Sequence, residues 1–312
     1  MKQFKAIVSR HKSTKAPSPQ QTVASPPKAT PLQQEAASAQ EPAALAPTSP
    51  SSQLETRSVP ADMSSSAPLS GKVAVITGGS KGIGAATATL LVSLGAKVVI
   101  NYGRDTAAAE KLISQVGADN AYAVQADASS VSGVEKLVKA SVDKFGKIDI
   151  LIPNAGILPM KDIESTTEED YDYTFNLNVK GPFFLVQKAL PYMAPGSSIV
   201  LISTTQCHAS SVSSPYTLYC ATKGAIEQLT RLLSKDLLAK KGIRVNAVAP
   251  GPTATDLFLE GKPQKVLDMI ASFHPANRVA KPEEIAASIS YLVGDGASWI
   301  SGQTLRVNGG LA

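Results

Sequence analysis

The stretch VAVITGGSKGIGAA, residues 73–86, passes from an apolar, β-branched run through a cluster of glycines into small helix-forming residues. A strand that is apolar on both faces must be covered on both sides, as strands of parallel sheets are. Glycine directly after it permits the tight turn that sends the chain back as a helix. The same texture recurs along the chain. AKVVIN, AYAVQAD, IDILIPNAG, SSIVLIST, IRVNAVAPG and GQTLRVNGG read as further strands. GAATATLLVSLG, VSGVEKLVKASVDKFG and GAIEQLTRLLSKDLLAKK lie between them with helical texture. Strand and helix in alternation predict an α/β fold, a doubly wound parallel sheet with right-handed crossovers.

That texture begins near Leu69, and nothing after it marks a second folded domain. The folded unit is expected over residues 67–312. Residues 1–66 are rich in Ser, Pro, Ala and Gln and carry no period of 2 or 3.6. Such a segment buries too little surface to offset its ordering entropy and reads as a disordered tail. Residues 1–34 contain no Asp or Glu. That acid-poor character also fits a mitochondrial presequence, although Lys dominates where Arg is usual.

The net charge of +5 owes much to this tail, where Lys2, Lys5, Arg10, Lys12 and Lys15 meet no acid. A basic tail on an otherwise balanced fold argues against nucleic acid as a partner. No apolar run approaches the roughly 20 residues that cross a bilayer, so no membrane partner is expected. The two cysteines, Cys207 and Cys220, have no metal-type spacing. They read as free thiols in a reducing, cytoplasmic setting, with no metal site.

Gly78, Gly82 and Gly84 lie between the first strand and the first helix. Glycines there let backbone amides approach phosphate oxygens, and the helix N-terminus adds partial positive charge. The second strand ends VVINYGR, with Asn101 where a site for NAD carries an acid. Lys81 in the loop and Arg104 past the strand would meet a ribose phosphate without a repelling carboxylate. NADP(H) is the predicted cofactor. In TLYCATKGA, Tyr219 and Lys223 stand at i and i+4 and share one helix face. A phenol titrates near 10, too high for a base at neutral pH, and a neighbouring ammonium is expected to lower that value.

The spacing Thr77-Gly78-x-x-x-Gly82-x-Gly84 and the patches QADASS, PNAG, NLNVKG, TLYCATKGA and APGPTAT together resemble the short-chain dehydrogenase/reductase family. The resemblance implies a Rossmann-like domain whose loop residues Gly78, Ser80, Lys81, Gly82, Ile83 and Gly84 hold the dinucleotide. It puts Asp127 beside the adenine. It gives Asn154 and Gly156 to the cofactor, with Pro153 replacing the family's first Asn. Pro250, Gly251, Thr253 and Thr255 fall beside the nicotinamide amide. Tyr219 becomes the general acid or base, and Lys223 holds the ribose. Asn178 fixes a water that links Lys223 to solvent.

The family's serine after the fifth strand is missing. Counting along the strand puts Thr204 in its place, and counting back from Tyr219 favours Thr205. Phe258, Leu259, Met269, Ile270 and Phe273, in DLFLEGKPQKVLDMIASFHP, are the expected apolar lining of a substrate lid.

The function implied is an oxidoreductase that moves hydride between NADP(H) and a small-molecule carbonyl or alcohol. Aldehydes, 3-oxoacyl thioesters and polyhydroxylated aromatics are the candidate substrates, and a homotetramer is the implied assembly. The competing reading is a nucleotide-binding sensor or scaffold on the same fold without turnover. A panel of ketones and aldehydes scored by NADPH oxidation separates the two.

Overall fold

The structure, a computed structural model, describes residues 67–312; the expected tail over residues 1–66 lies outside the described residues. The strands are β1 (Val73–Ile76), β2 (Lys97–Tyr102), β3 (Ala121–Gln125), β4 (Ile150–Ile152), β5 (Ser198–Ile202), β6 (Arg244–Pro250) and β7 (Thr304–Val307). They form one parallel sheet in the order β3-β2-β1-β4-β5-β6-β7. The α-helices are α1 (Gly82–Ser93), α2 (Thr106–Val116), α3 (Val131–Phe145), α4 (Glu168–Phe175), α5 (Gly181–Ala189), α6 (Thr217–Lys241), α7 (Asp256–Leu259), α8 (Gln264–Ser272) and α9 (Pro282–Val293). Each strand expected from the sequence is present, and the fold is the doubly wound Rossmann-like one.

Alternate strand residues build the two halves of the core. Ala74, Ile76, Val98, Ile100 and Ile152 pack with Ala88 and Leu91 of α1, Leu112 of α2, and Ile285 and Ile289 of α9. Val75, Val99, Leu151, Ile199 and Leu201 pack with Leu137 of α3, Leu185 of α5, and Ile226 and Leu237 of α6 on the other face. Truncating one such buried aliphatic side chain to Ala costs about 2–5 kcal/mol.

Strand order reverses between β1 and β4. In open α/β sheets the crevice outside the strand ends at such a point receives ligands. Two glycines set its floor. Gly78 adopts a φ of +60° after β1, and a Cβ on Gly84 would lie 2.3 Å from the Gly78 carbonyl oxygen. The first turn of α1 therefore packs directly on the glycine loop.

The segment YDYTFNLNVKGPFFLVQKAL reads as a single helix, but the structure widens it to a π-helical turn at Asn176–Lys180. Gly181 N–H donates to the Asn176 carbonyl, five residues back. Pro182 follows with no N–H to give. The extra residue of that turn carries Asn178 into the interior, where it is 1% exposed. π-turns of this kind recur at functional positions.

Candidate active site

The ends of β1, β4, β5 and β6 surround one cleft, and α6 enters it with its first two turns. Its walls include Ile83, Asn154, Gly156, Thr204, Thr205, Tyr219, Lys223, Pro250, Gly251, Thr253 and Thr255. These residues come from widely separated stretches of sequence, and the fold brings them together.

Three hydroxyls follow one another at the end of β5, and each has a different partner. Ser203 donates to the Glu227 carboxylate at 2.7 Å. Thr205 is buried and donates to the Ala249 carbonyl oxygen at 3.1 Å. Thr204 lines the cleft with Tyr219, and its hydroxyl oxygen accepts from Gln206 N–H at 3.3 Å. Of the two threonines left open by counting, Thr204 is the one whose hydroxyl neighbours the phenol.

Lys223 is 5% exposed, and its Nζ donates to the Ile202 carbonyl oxygen at 2.8 Å. The same Nζ lies 5.7 Å from the centre of the Tyr219 ring. The electrostatics differ from the expectation drawn from the sequence. Burial pushes the Tyr219 phenol up, and the neighbouring Thr204 hydroxyl offsets only part of that rise. Burial also lowers Lys223 to about 8. Desolvation of both groups outweighs their mutual effect, so the phenol at rest is a protonated donor.

Asn178 is locked into the protein. Its amide donates to the Ile157 carbonyl at 3.0 Å and to Thr222 Oγ1 at 3.1 Å, and its Oδ1 accepts from Ile157 N–H at 2.9 Å. Thr222 in turn donates to the Tyr219 carbonyl at 2.7 Å. A Cβ on Gly156 would lie 3.1 Å from Asn178 Oδ1 and 3.7 Å from Lys223 Nζ, so Asn178 and Lys223 flank the same glycine.

The nucleotide end has its own bracing. Asn154 Nδ2 donates to the Thr77 and Gly78 carbonyls at 2.9 and 3.1 Å, and the Asn154 and Ala155 amides donate to Thr77 Oγ1. Asn101, 2% exposed, turns its amide onto the Ala126 carbonyl at 2.8 Å. Asn154 thus braces the glycine loop from the cleft wall, whereas the Asn101 amide is spent on the backbone at the ends of β2 and β3. Asp127 accepts from Ser129, which holds its carboxyl below the usual range.

The α1 N-terminus carries no capping side chain and no acid in its first turn. Its first amides therefore suit an anion. The expectation that no carboxylate stands near the loop cations is corrected. Asp105 Oδ2 lies 2.6 Å from Lys81 Nζ while its Oδ1 caps α2 at Ala108. Both partners are about half exposed, so solvent screens the pair and it yields readily to a phosphate. Arg104, the residue before Asp105 in the chain, is exposed.

Sequence reasoning missed several members. Tyr216 lines the cleft with its ring 6.4 Å from that of Tyr219. Thr222 and Glu227 support the phenol and the β5 loop, yet nothing in their spacing marks them. Of the expected lid residues Phe258 lines the cleft, joined by Leu257. Leu259, Met269 and Phe273 are exposed instead.

A family model described as enoyl-(acyl carrier protein) reductase matches residues 78–312. Versicolorin reductase 1 of Aspergillus parasiticus is 38% identical over 80% of this chain and 99% of its own length. An NADPH-dependent aldehyde reductase-like protein, chloroplastic, of Arabidopsis thaliana is 37% identical over 78% of this chain and 95% of its own. A short-chain dehydrogenase of Burkholderia cenocepacia, solved in complex with NADP, superposes with a TM-score of 0.74 at 32% identity, covering 78% of this chain and 99% of that one.

Proposed function

This chain belongs to the short-chain dehydrogenase/reductase family of oxidoreductases, and from that premise we propose that it reduces an aldehyde or ketone with NADPH, using Tyr219 as proton donor. The observation that carries this reading is the convergence of Thr204, Tyr219 and Lys223 on one cleft, with Lys223 Nζ 5.7 Å from the centre of the Tyr219 ring.

When bound, the reduced nicotinamide supplies the hydride. The residues present suit such a cofactor: the uncapped α1 N-terminus, the glycine cradle, Lys81 and Arg104 answer to phosphates. Lys223 answers to ribose hydroxyls. Tyr219 gives its proton to the carbonyl oxygen as negative charge grows there. Thr204 donates a second hydrogen bond to that oxygen, which is where one donor has most effect on the barrier. Asn178, fixed between Ile157 and Thr222, acts as a positioning residue beside Lys223. A phenol that burial keeps protonated suits reduction better than oxidation. Leu257, Phe258 and Tyr216 favour a substrate with an apolar or aromatic body. The printed names of the Arabidopsis and Aspergillus relatives, an aldehyde reductase-like protein and versicolorin reductase, support that class.

NADPH is favoured over NADH because Lys81 in the glycine loop and the exposed Arg104 after β2 offer cations to a ribose phosphate. The NADP in the Burkholderia structure supports the same choice. Binding titrations are expected to give NADPH the tighter constant, and an Arg104→Ala exchange to narrow the gap; NADH binding the more tightly contradicts the assignment. The test of the whole reading is NADPH oxidation against a panel of aliphatic and aromatic aldehydes and ketones. Turnover is expected with at least the aromatic members. Tight NADPH binding with no turnover across the panel favours a nucleotide-sensing role instead.

We also assign a homotetramer. Phe175, Val179, Phe183, Phe184, Leu229 and Leu232 line an apolar groove between the α4–α5 segment and α6, a face suited to a second copy. No described helix is long and apolar enough to cross a membrane. The compartment proposed is the cytoplasm, and the acid-poor residues 1–34 make organelle import the outcome that cell fractionation would have to exclude.

A further inference from the structure

The chain's two cysteines meet beside the proposed active site. Cys207 ends the 3₁₀ turn Thr205–Cys207 that Thr204 caps, and Cys220 directly follows Tyr219 in the first turn of α6. Cys207 Sγ lies 3.7 Å from the Cys220 carbonyl oxygen, to which it donates. Both side chains are half-buried and free. The loop is held against α6 independently of them. Glu227, about two turns along the helix from Cys220, accepts from Ser203 Oγ at 2.7 Å and meets His208 Nε2 at 3.0 Å. Residues on both sides of Cys207 are thereby tied to α6, and Cys207 is kept beside Cys220.

We propose that Cys207 and Cys220 form a dithiol modification site that hydrogen peroxide closes to a disulfide, and that closure pulls the Thr204 hydroxyl out of register with the Tyr219 phenol. The second half rests on the reductase reading above; the first does not. A disulfide needs sulfurs about 2.0 Å apart, so closing moves the 3₁₀ turn and the start of α6 towards each other. A shift of about 1 Å in a reacting geometry can cost a hundredfold in rate.

The chemistry divides between the two sulfurs. The neighbouring Cys207 thiol lowers that of Cys220, which sits in the first turn of α6 near the helix N-terminus. The Cys220 thiol, then burial and the Glu227 charge, pushes Cys207 up. The Cys220 thiolate attacks peroxide, the O–O bond breaks, and the sulfur becomes a sulfenic acid as the departing oxygen leaves as water. Cys207 then attacks that sulfur, the S–O bond breaks, and a second water leaves. Two thiols and one peroxide give one disulfide and two waters. Cys220 points about 130° around α6 from the mean direction of Ala225, Gln228, Leu229 and Leu232, which line the apolar groove. A second copy in that groove leaves the thiols open to peroxide.

The test treats the full-length protein with millimolar hydrogen peroxide, alkylates it under denaturing conditions and weighs it intact. Wild type is expected to lose two hydrogens and take up no alkyl group, while Cys207→Ser and Cys220→Ser form no internal disulfide. NADPH-dependent turnover of the treated wild type is expected to fall by at least about tenfold and to return with dithiothreitol. Cys220→Ser keeps the same turnover with and without peroxide. Two alkylatable thiols after treatment, or a sulfinic acid in place of the disulfide, overturns the site. A disulfide that leaves turnover unchanged overturns its effect on the phenol. An untreated protein that reduces no carbonyl defeats the reductase reading, and the mass measurement still decides the dithiol.

Discussion

Ser203, Thr204 and Thr205 carry similar hydroxyls on adjacent residues, and their partners give them different work. Thr204→Ala removes the hydroxyl that neighbours the phenol and is expected to lower kcat by about 10²-fold with little change in stability. Thr205→Ala leaves the Ala249 carbonyl without its donor and is expected to cost about 1–2 kcal/mol while turnover persists. Urea unfolding and steady-state kinetics on both variants check this; the opposite assignment of losses contradicts it. Lys223 makes a statement about pH. Its folded pKa of about 8 lies below the ordinary 10.5, so between those values the unfolded chain holds the proton more tightly. Stability contributed by this site therefore rises with pH across that window. Compared with Lys223→Met, the wild type is expected to gain up to about 3 kcal/mol between pH 8 and pH 10.5. A difference between the two proteins that does not change with pH contradicts a desolvated lysine.

Two glycines in helices carry opposite expectations at the scale of elements. A Cβ on Gly84 would collide with the Gly78 carbonyl at 2.3 Å, whereas one on Gly224 in α6 meets nothing within 4 Å. Gly84→Ala is expected to lose both nucleotide binding and several kcal/mol of stability. Gly224→Ala is expected to gain about 0.5–1 kcal/mol, because only backbone entropy changes. Thermal melts and NADPH titration check the pair. The strands and main helices were readable in the sequence because apolar runs such as VAVI and SIVLI are buried along their whole length. The phosphate loop was readable because its glycines answer a local demand of the backbone. What sequence could not give was the direction of side chains whose partners are remote. Asn101 reads as a groove residue until its amide is found on the Ala126 carbonyl, and Asp105, which caps α2 with one oxygen, meets Lys81 with the other. The π-turn at Asn178 needs both Pro182 and the distant Ile157 backbone. The rise of the Tyr219 phenol is likewise a product of burial, which the i, i+4 spacing of Tyr219 and Lys223 does not contain.

Among the described residues, apolar side chains stay open to solvent in the groove with Phe183 and Leu232, 41% and 54% exposed, and again at Tyr291, Leu305 and Trp299, the last 99% exposed. Two independent self-complementary faces generate a closed tetramer, whereas one generates a dimer. Light scattering is expected to give a tetramer for the wild type and a dimer for Leu232→Arg. The chain's single tryptophan is expected to shift its emission to the blue on assembly, and a wild type that stays monomeric at micromolar concentration contradicts this. These surfaces matter to function only if the fold they support carries out proton transfer at the end of β5. The most direct measurement pairs NADPH binding with NADPH-dependent carbonyl reduction in Tyr219→Phe. Binding is expected to stay near the wild-type value while kcat falls by about 10²- to 10⁴-fold. A phenylalanine enzyme that reduces its substrate as fast as the wild type contradicts the proposed role of the phenol.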